Sequence, residues 1–188
     1  MDGEPLRAMV ARAADGDETA FARIVAVHHD DMARVAYVMC GDVDLAQEAV
    51  QSAWTKAWTR LDSIREADRL RPWLVSIAAN EAKQLVRSRS RRRVREIPMP
   101  DGPADGPEPA AAARSLSDPA SRVVDLDLAD ALETLDETDR TLVALRYAAG
   151  LTSDEIGRLI GMTGGGVRAR LARLLDRLRR ELHDDDPA

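Results

Sequence analysis

Four glycines in six positions, then six arginines in thirteen, make residues 161 to 180 the part of this 188-residue chain best suited to hold phosphate. The stretch reads GMTGGGVRARLARLLDRLRREL from Gly161 to Leu182. Glycines in the first turn of a helix leave bare N–H groups at the positive end of the helix dipole, where an oxyanion can approach closely. Each glycine forfeits about 1 kcal/mol of helix propensity relative to alanine, so three in a row call for a reason. A nucleotide is a poor candidate. Gly161 and Gly166 have GxxxxG spacing, but Val167 and Arg168 stand where a phosphate loop needs Lys and Ser/Thr, and no strand pattern precedes them. Thr163 is a good N-cap, which argues against a slack loop. The remaining chemistry is a helix laid on nucleic acid. Thr163, Gly164, Gly165 and Gly166 would stand at its head, with Arg168, Arg170 and Arg173 following. Val167, Leu171, Leu174, Leu178 and Leu182 recur on one face of that helix and Arg170, Arg173, Arg177 and Arg180 on the opposite one.

A second cationic run, RSRSRRRVR at residues 87 to 95, carries +6, and residues 168 to 180 carry +5. The whole chain is −6, so the rest sums to −17. Such segregation is the footprint of phosphate-backbone surfaces. Other chemistries find little material. Cys40 stands alone behind Tyr37, Val38 and Met39, reads as a buried small hydrophobe, and fits a reducing cytoplasm. His28 and His29 are adjacent and point different ways from a helix, which argues against a metal site. There is no HExxH, no paired-cysteine motif and no acid-base cluster, so neither an enzyme nor a bound cofactor is expected. No apolar run reaches the roughly 20 residues of a membrane span.

The elements that position these residues read as all-α: two small helical domains joined by a flexible, acidic, proline-rich linker. Residues 97 to 119 hold six prolines, two glycines and four acids and cannot build a core. The expected division is 1–95, a linker 96–120, a second domain 121–183 and a frayed tail 184–188. In the first domain, helices are expected near Glu4–Ala14, Asp17–Cys40 ending at Gly41, and Asp44–Leu61. Asp44 and Gln47 have capping-box spacing there, and Ala46, Val50, Ala53, Trp54, Ala57 and Leu61 form the apolar face. A fourth helix starts with Pro72 at its first position and runs into the arginines. Leu74, Val75, Ala78, Ala82 and Leu85 lie on one side of it and Asn80, Lys83, Gln84 and Arg87 on the other. In the second domain, helices near Ser121–Leu135 and Glu137–Ala149, closed by Gly150, precede a short one. That short helix opens with the capping box TSDE at 152–155 and ends at Gly161; with the arginine helix it makes a helix-turn-helix.

The segment ALETLDETDRTLVALRYAAGLTSDEIGRLIGMTGGGVRARLARLLDRLRREL resembles region 4 of bacterial extracytoplasmic-function (ECF) sigma factors. AQEAVQSAWTKAWTRL is similar to region 2.2, and RPWLVSIAANEAKQLVRSRSRRR to regions 2.3 and 2.4. The chain departs from the usual pattern at four sites: Ser52 for Glu, Asp136 for Pro, Gly157 for Ala and Gly166 for Thr.

The resemblance implies a promoter-specificity subunit of RNA polymerase, located in the cytoplasm and without membrane insertion. It implies that Glu48, Gln51, Ser52 and Thr55 meet the β′ clamp helices of core polymerase. It also implies that Asp62–Arg71, including Ser63 and Arg65, together with Asn80, Lys83, Arg87 and Arg91, reads and opens the −10 element as melted DNA. Thr163–Arg173 would bind the −35 element as duplex, the same domain would touch the β flap, and an anti-sigma protein would hold the factor inactive. Trp54, Trp58 and Trp73 sit at helical spacing among Leu and Ala and read as core rather than melting wedges. Two other readings are a stand-alone helix-turn-helix regulator, which leaves the amino-terminal domain idle, and an arginine-rich adaptor for acidic partners. The linker's 23 residues reach roughly 75 Å at ~3.3 Å each, enough for two turns of duplex.

Overall fold

A computed structural model describes residues 5–95 and 134–184, with side chains for 5–92 and 134–180. Every regular element among them is helical. The amino-terminal group comprises α1 (Leu6–Ala14), α2 (Glu18–Cys40), α3 (Val43–Arg60) and α4 (Leu70–Arg95), with 3₁₀ turns at Leu61–Ser63 and Ala67–Arg69. The carboxy-terminal group comprises α5 (Glu137–Val143), which widens into a π turn at Ala144–Ala148, then α6 (Ser153–Ile160) and α7 (Gly164–Asp184). The expected helix at Ser121–Leu135 falls mostly outside the described residues, as do the linker and the tail; Thr134 and Leu135 form a turn and a bend.

Local chemistry sets the boundaries. Asp17 caps α2 by accepting from the Ala20 N–H at 3.0 Å, and Gly41 ends it in the left-handed conformation at φ 65°. For α3 the cap is Asp42, which accepts from the Leu45 N–H at 3.0 Å, and not Asp44. The extended backbone of Asp42 (φ −140°, ψ 127°) already turns Val43 into the helix, which leaves Asp44 in the first turn. Pro72 likewise lies two residues inside α4 rather than at its start. A helix has no donors to lose in its first turn, so proline is tolerated there.

α2, α3 and α4 pack into a bundle braced by α1. Alanines at 46, 49, 53 and 57 of α3 and 78, 79 and 82 of α4 bring these helices close, and Ile24, Met32, Val35, Leu61, Leu70, Leu74 and Val75 fill the centre. Lys56 Nζ meets Glu81 Oε1 at 2.6 Å and ties α3 to α4 at the rim. The π turn packs against α2 and α4, and the buried residues of the two groups form one continuous cluster that includes Leu142, Leu145, Leu151 and Ile156. Burying each such leucine is worth about 1.5–3 kcal/mol. Trp54 and Trp73 are half-buried, whereas Trp58, expected in the core, is exposed. It lies at the end of α3 and rests on Phe21 with ring centroids 4.7 Å apart. Cys40 is partly buried; burial, with the Asp42 charge, pushes its thiol pKa up to about 11, so it is an inert thiol. Among the described residues no helix is long and apolar enough to cross a membrane.

Candidate nucleic-acid interface and apolar groove

The helix-turn-helix is set by its caps. Thr152 and Glu155 form the expected reciprocal box: Glu155 Oε2 accepts from the Thr152 N–H at 2.7 Å, and Thr152 Oγ1 accepts from the Glu155 N–H at 3.3 Å. Gly161 ends α6 at φ 74°, and Thr163 Oγ1 accepts from the Gly166 N–H at 3.1 Å to start α7. Gly157 allows the turn to fold back, because a Cβ there would lie 2.5 Å from the Met162 carbonyl oxygen. Val167, Leu171 and Leu174 bury one side of α7, as its periodicity requires.

The three glycines at the head of α7 have different surroundings. A Cβ on Gly164 would overlap the Asp154 carboxylate, which comes from α6 and also faces Arg168 at 3.7 Å. A Cβ on Gly166 would sit 3.2 Å from Thr163 Oγ1. Only Gly165 opens to space, with Arg168 Nη2 3.9 Å away. Arg168 and Arg173 are exposed. Arg170 is not: its Nε meets Asp139 Oδ1 at 2.5 Å and its Nη2 meets Asp136 Oδ2 at 3.0 Å, and Arg177 Nη2 reaches the same Asp139 at 3.3 Å.

On α4, Asn80 and Arg91 are exposed on an outward stripe that also holds Lys83 and Arg87. Ser63 and Arg65 lie in the exposed connection from α3 to α4, where the Ser63 hydroxyl donates to the Arg60 carbonyl at 2.6 Å. Lys83 and Arg87 converge on Glu137 of α5, with Arg87 Nη2 to Oε1 at 2.9 Å. Burial opposes ionisation of Glu137, but hydrogen bonds from Lys83 and Arg87 overcome it and hold the carboxyl below its ordinary value.

A groove of about 660 Å³ runs between α2 and α3, walled by Val25, Ala33, Tyr37, Val50 and Trp54 with Gln51 and Thr55 on its edge. It is long, open and mainly apolar. Of the four residues expected to meet polymerase, Gln51 and Thr55 line this groove; Glu48 and Ser52 stand two turns and one turn before Lys56 on the stripe toward α4. His29 accepts from Trp54 Nε1 at 3.4 Å in the groove wall. His28, its neighbour, is buried with no hydrogen-bond partner at Nδ1, and burial lowers its pKa. Sequence reasoning missed the acids Asp136, Glu137 and Asp139 as partners of the cationic residues. Their clustering at a helix start was visible; what they face was not.

The chain matches the Sigma-70 region 2 family over residues 24–92 and the Sigma-70 region 4 family over residues 131–180. It is 31% identical to the ECF RNA polymerase sigma-E factor of Escherichia coli K12 over 88% of this chain and 87% of that one. It is 29% identical to the ECF RNA polymerase sigma factor SigW of Bacillus subtilis over 90% of this chain and 92% of SigW. A probable sigma factor, RfaY of Xanthomonas campestris, is 27% identical over 90% of this chain, which spans 42% of RfaY. Among solved structures, CnrH in complex with the cytosolic domain of CnrY superposes with a TM-score of 0.68 at 26% identity, covering 96% of this chain and 98% of CnrH. The sigma factor RpoE of Bartonella quintana, solved with the anti-sigma factor NepR, shares the fold at a TM-score of 0.65 and 23% identity, covering 88% of this chain and 98% of RpoE. A helical region 2, a helix-turn-helix region 4 and these relatives lead to one assignment: the chain belongs to the ECF class of RNA polymerase sigma factors and acts in transcription initiation, with no catalytic chemistry of its own.

Proposed function

We propose that residues 1–95 dock on core RNA polymerase and engage the −10 element, while residues 121–183 engage the −35 element and the β flap. The groove between α2 and α3 receives a helical segment of the β′ clamp, with Gln51 and Thr55 as polar contacts on its edge and Glu48 and Ser52 on the adjoining stripe. Asn80, Lys83, Arg87 and Arg91, with Ser63 and Arg65 in the preceding connection, meet the −10 strand as it is opened. Thr163, Gly164, Gly165, Gly166, Arg168 and Arg173 meet the −35 duplex; Arg170 joins them once released from its acids. The factor works in the cytoplasm and is held by an anti-sigma protein, as RpoE is by NepR.

The observation that carries this reading is the pairing of a long apolar groove with two cationic helices in one chain. A stand-alone regulator has no use for the groove. The test is run-off transcription by core polymerase on genomic fragments, with and without the chain. Gln51→Lys sets a desolvated ammonium against the groove and is expected to weaken core binding at least tenfold while the circular dichroism spectrum stays unchanged. Full core affinity in Gln51→Lys removes the groove from the polymerase interface.

A further inference from the structure

The chain has three tryptophans, two tyrosines and one phenylalanine, and four of these six aromatics stand on one face of α2 and α3. Tyr37 and Trp54 wall the apolar groove. Phe21 and Trp58, with Glu18, Ala22 and Val25, line a second hollow of about 380 Å³. Val25 belongs to both, so the hollow is a notch at the end of the groove. Phe21, near the head of α2, meets Trp54 and Trp58, near the end of α3, with ring centroids 5.7 and 4.7 Å apart. Groove and notch together follow α2 from Glu18 to Tyr37, about 28 Å at ~1.5 Å per residue, the length of a docked helix of several turns. No carboxylate lines the groove, whereas the notch has one. Trp58 is exposed at its wall, with its ring at 67° to that of Phe21, and the exposed Glu18 stands beside them. Among the described residues no cation pairs with Glu18.

We propose that the notch takes a cationic side chain, best an arginine, from the polymerase segment seated in the groove, and so anchors one end of that segment. This rests on the groove being the polymerase dock. Ring and carboxylate attract the same charge: the quadrupole of Trp58 is negative on its face, and Glu18 adds a full negative charge. An anionic side chain is repelled on both counts. An apolar one strips water from Glu18 and gives nothing in return. Arginine suits the site better than lysine, because its planar guanidinium stacks on the indole while its N–H groups donate to the carboxylate. Buried pairs of aromatic and arginine side chains carry much of the energy of protein interfaces. Such a partner gives a role to a tryptophan left in water at the end of α3, where the amphipathic pattern calls for a buried side chain.

The test is binding of the full-length chain to purified core RNA polymerase across a salt series. Trp58→Leu keeps an apolar side chain but removes the ring, and is expected to weaken binding about fivefold; Trp58→Phe should recover most of that loss. Leucine would serve an apolar occupant as well as tryptophan does, so this pair of variants separates a cation from a hydrophobe. Glu18→Gln should weaken binding about threefold at low salt and flatten its salt dependence, because one screened attraction is gone. Glu18→Lys should weaken it at least tenfold. Parental affinity in Trp58→Leu, or a parental salt slope in Glu18→Gln, overturns the cationic notch. Gln51→Lys in the groove is the reference. If it alone loses affinity, the groove stands as the polymerase dock and the notch falls; if it too binds like the parent, the groove reading fails and takes the notch with it.

Discussion

At Gly157 a Cβ would press on the Met162 carbonyl oxygen at 2.5 Å, and that oxygen belongs to the backbone of the turn. Gly157→Ala therefore has to move the loop between α6 and α7, and a loss of about 1–3 kcal/mol is expected from overpacking, measured by urea denaturation. Gly165 is the opposite case. Valine there meets open space and keeps the fold, but fills the approach to the head of α7. Filter binding across a salt series should show affinity for all duplexes falling by about 1.5–3 kcal/mol, the worth of hydrogen bonds to a charged group. Parental affinity in Gly165→Val would end the idea that this glycine anchors a phosphate. From the sequence the glycines of 164–166 look alike. Their difference comes from Asp154, ten residues earlier, whose carboxylate fills the space beside Gly164. Arg170 was legible as part of a cationic face, but not as the partner of Asp136 and Asp139, because its neighbours lie more than thirty residues back in the chain.

Helix limits were the most legible feature, since capping is local. Asp17, Gly41, Thr152, Gly161 and Thr163 act as their types and positions predict. The GDVD run at residues 41–44, at the start of α3, offers two good caps, Asp42 and Asp44, and only the backbone conformation selects Asp42. Asp42 accepts from the Leu45 N–H and pairs with Arg89 Nη1 at 2.7 Å; both interactions lower its pKa below the ordinary 3.8, the backbone bond most. The folded state thus binds its proton less readily than the unfolded chain. The stabilisation is fully present above the unfolded value and disappears as pH falls through the lower folded one. Asp42→Ala should cost about 1 kcal/mol at neutral pH, and Asp42→Asn should keep most of the cap while flattening the acid limb of the stability–pH curve. An unaltered acid limb in Asp42→Asn, followed by thermal melts from neutral pH downwards, would assign that limb to other carboxylates.

Across the whole molecule, the sequence made two helical groups legible but said nothing of how they meet. Glu137 and Lys83 are separated by more than fifty residues, and no periodicity reports such a pairing. The tethering role of the linker is open to a direct test. Replacing residues 99–112 by Gly/Ser of equal length should preserve run-off transcription. Halving the 23-residue linker should abolish it, because ~12 residues span at most ~40 Å. Full activity from the shortened chain would show that the two promoter elements need not be held together by this tether. The π turn at Ala144–Ala148 bears on how such a chain can change over evolutionary time. There the Ala149 N–H bonds to the Ala144 carbonyl, five residues back, at 3.0 Å, so the turn holds one residue more than an α-turn. Deleting one of those five residues would restore ordinary helical bonding with little rotation downstream, because the π turn takes up its extra residue in nearly the same rotation as an α turn. Leu151 would keep its place in the core, and α7 its bearing. The length of this stretch can therefore change by one residue where that of a regular helix cannot: loss of the codon for the exposed Tyr147 is expected to leave the protein folded, whereas a one-residue deletion within α2 or α3 would turn the buried face out of the core.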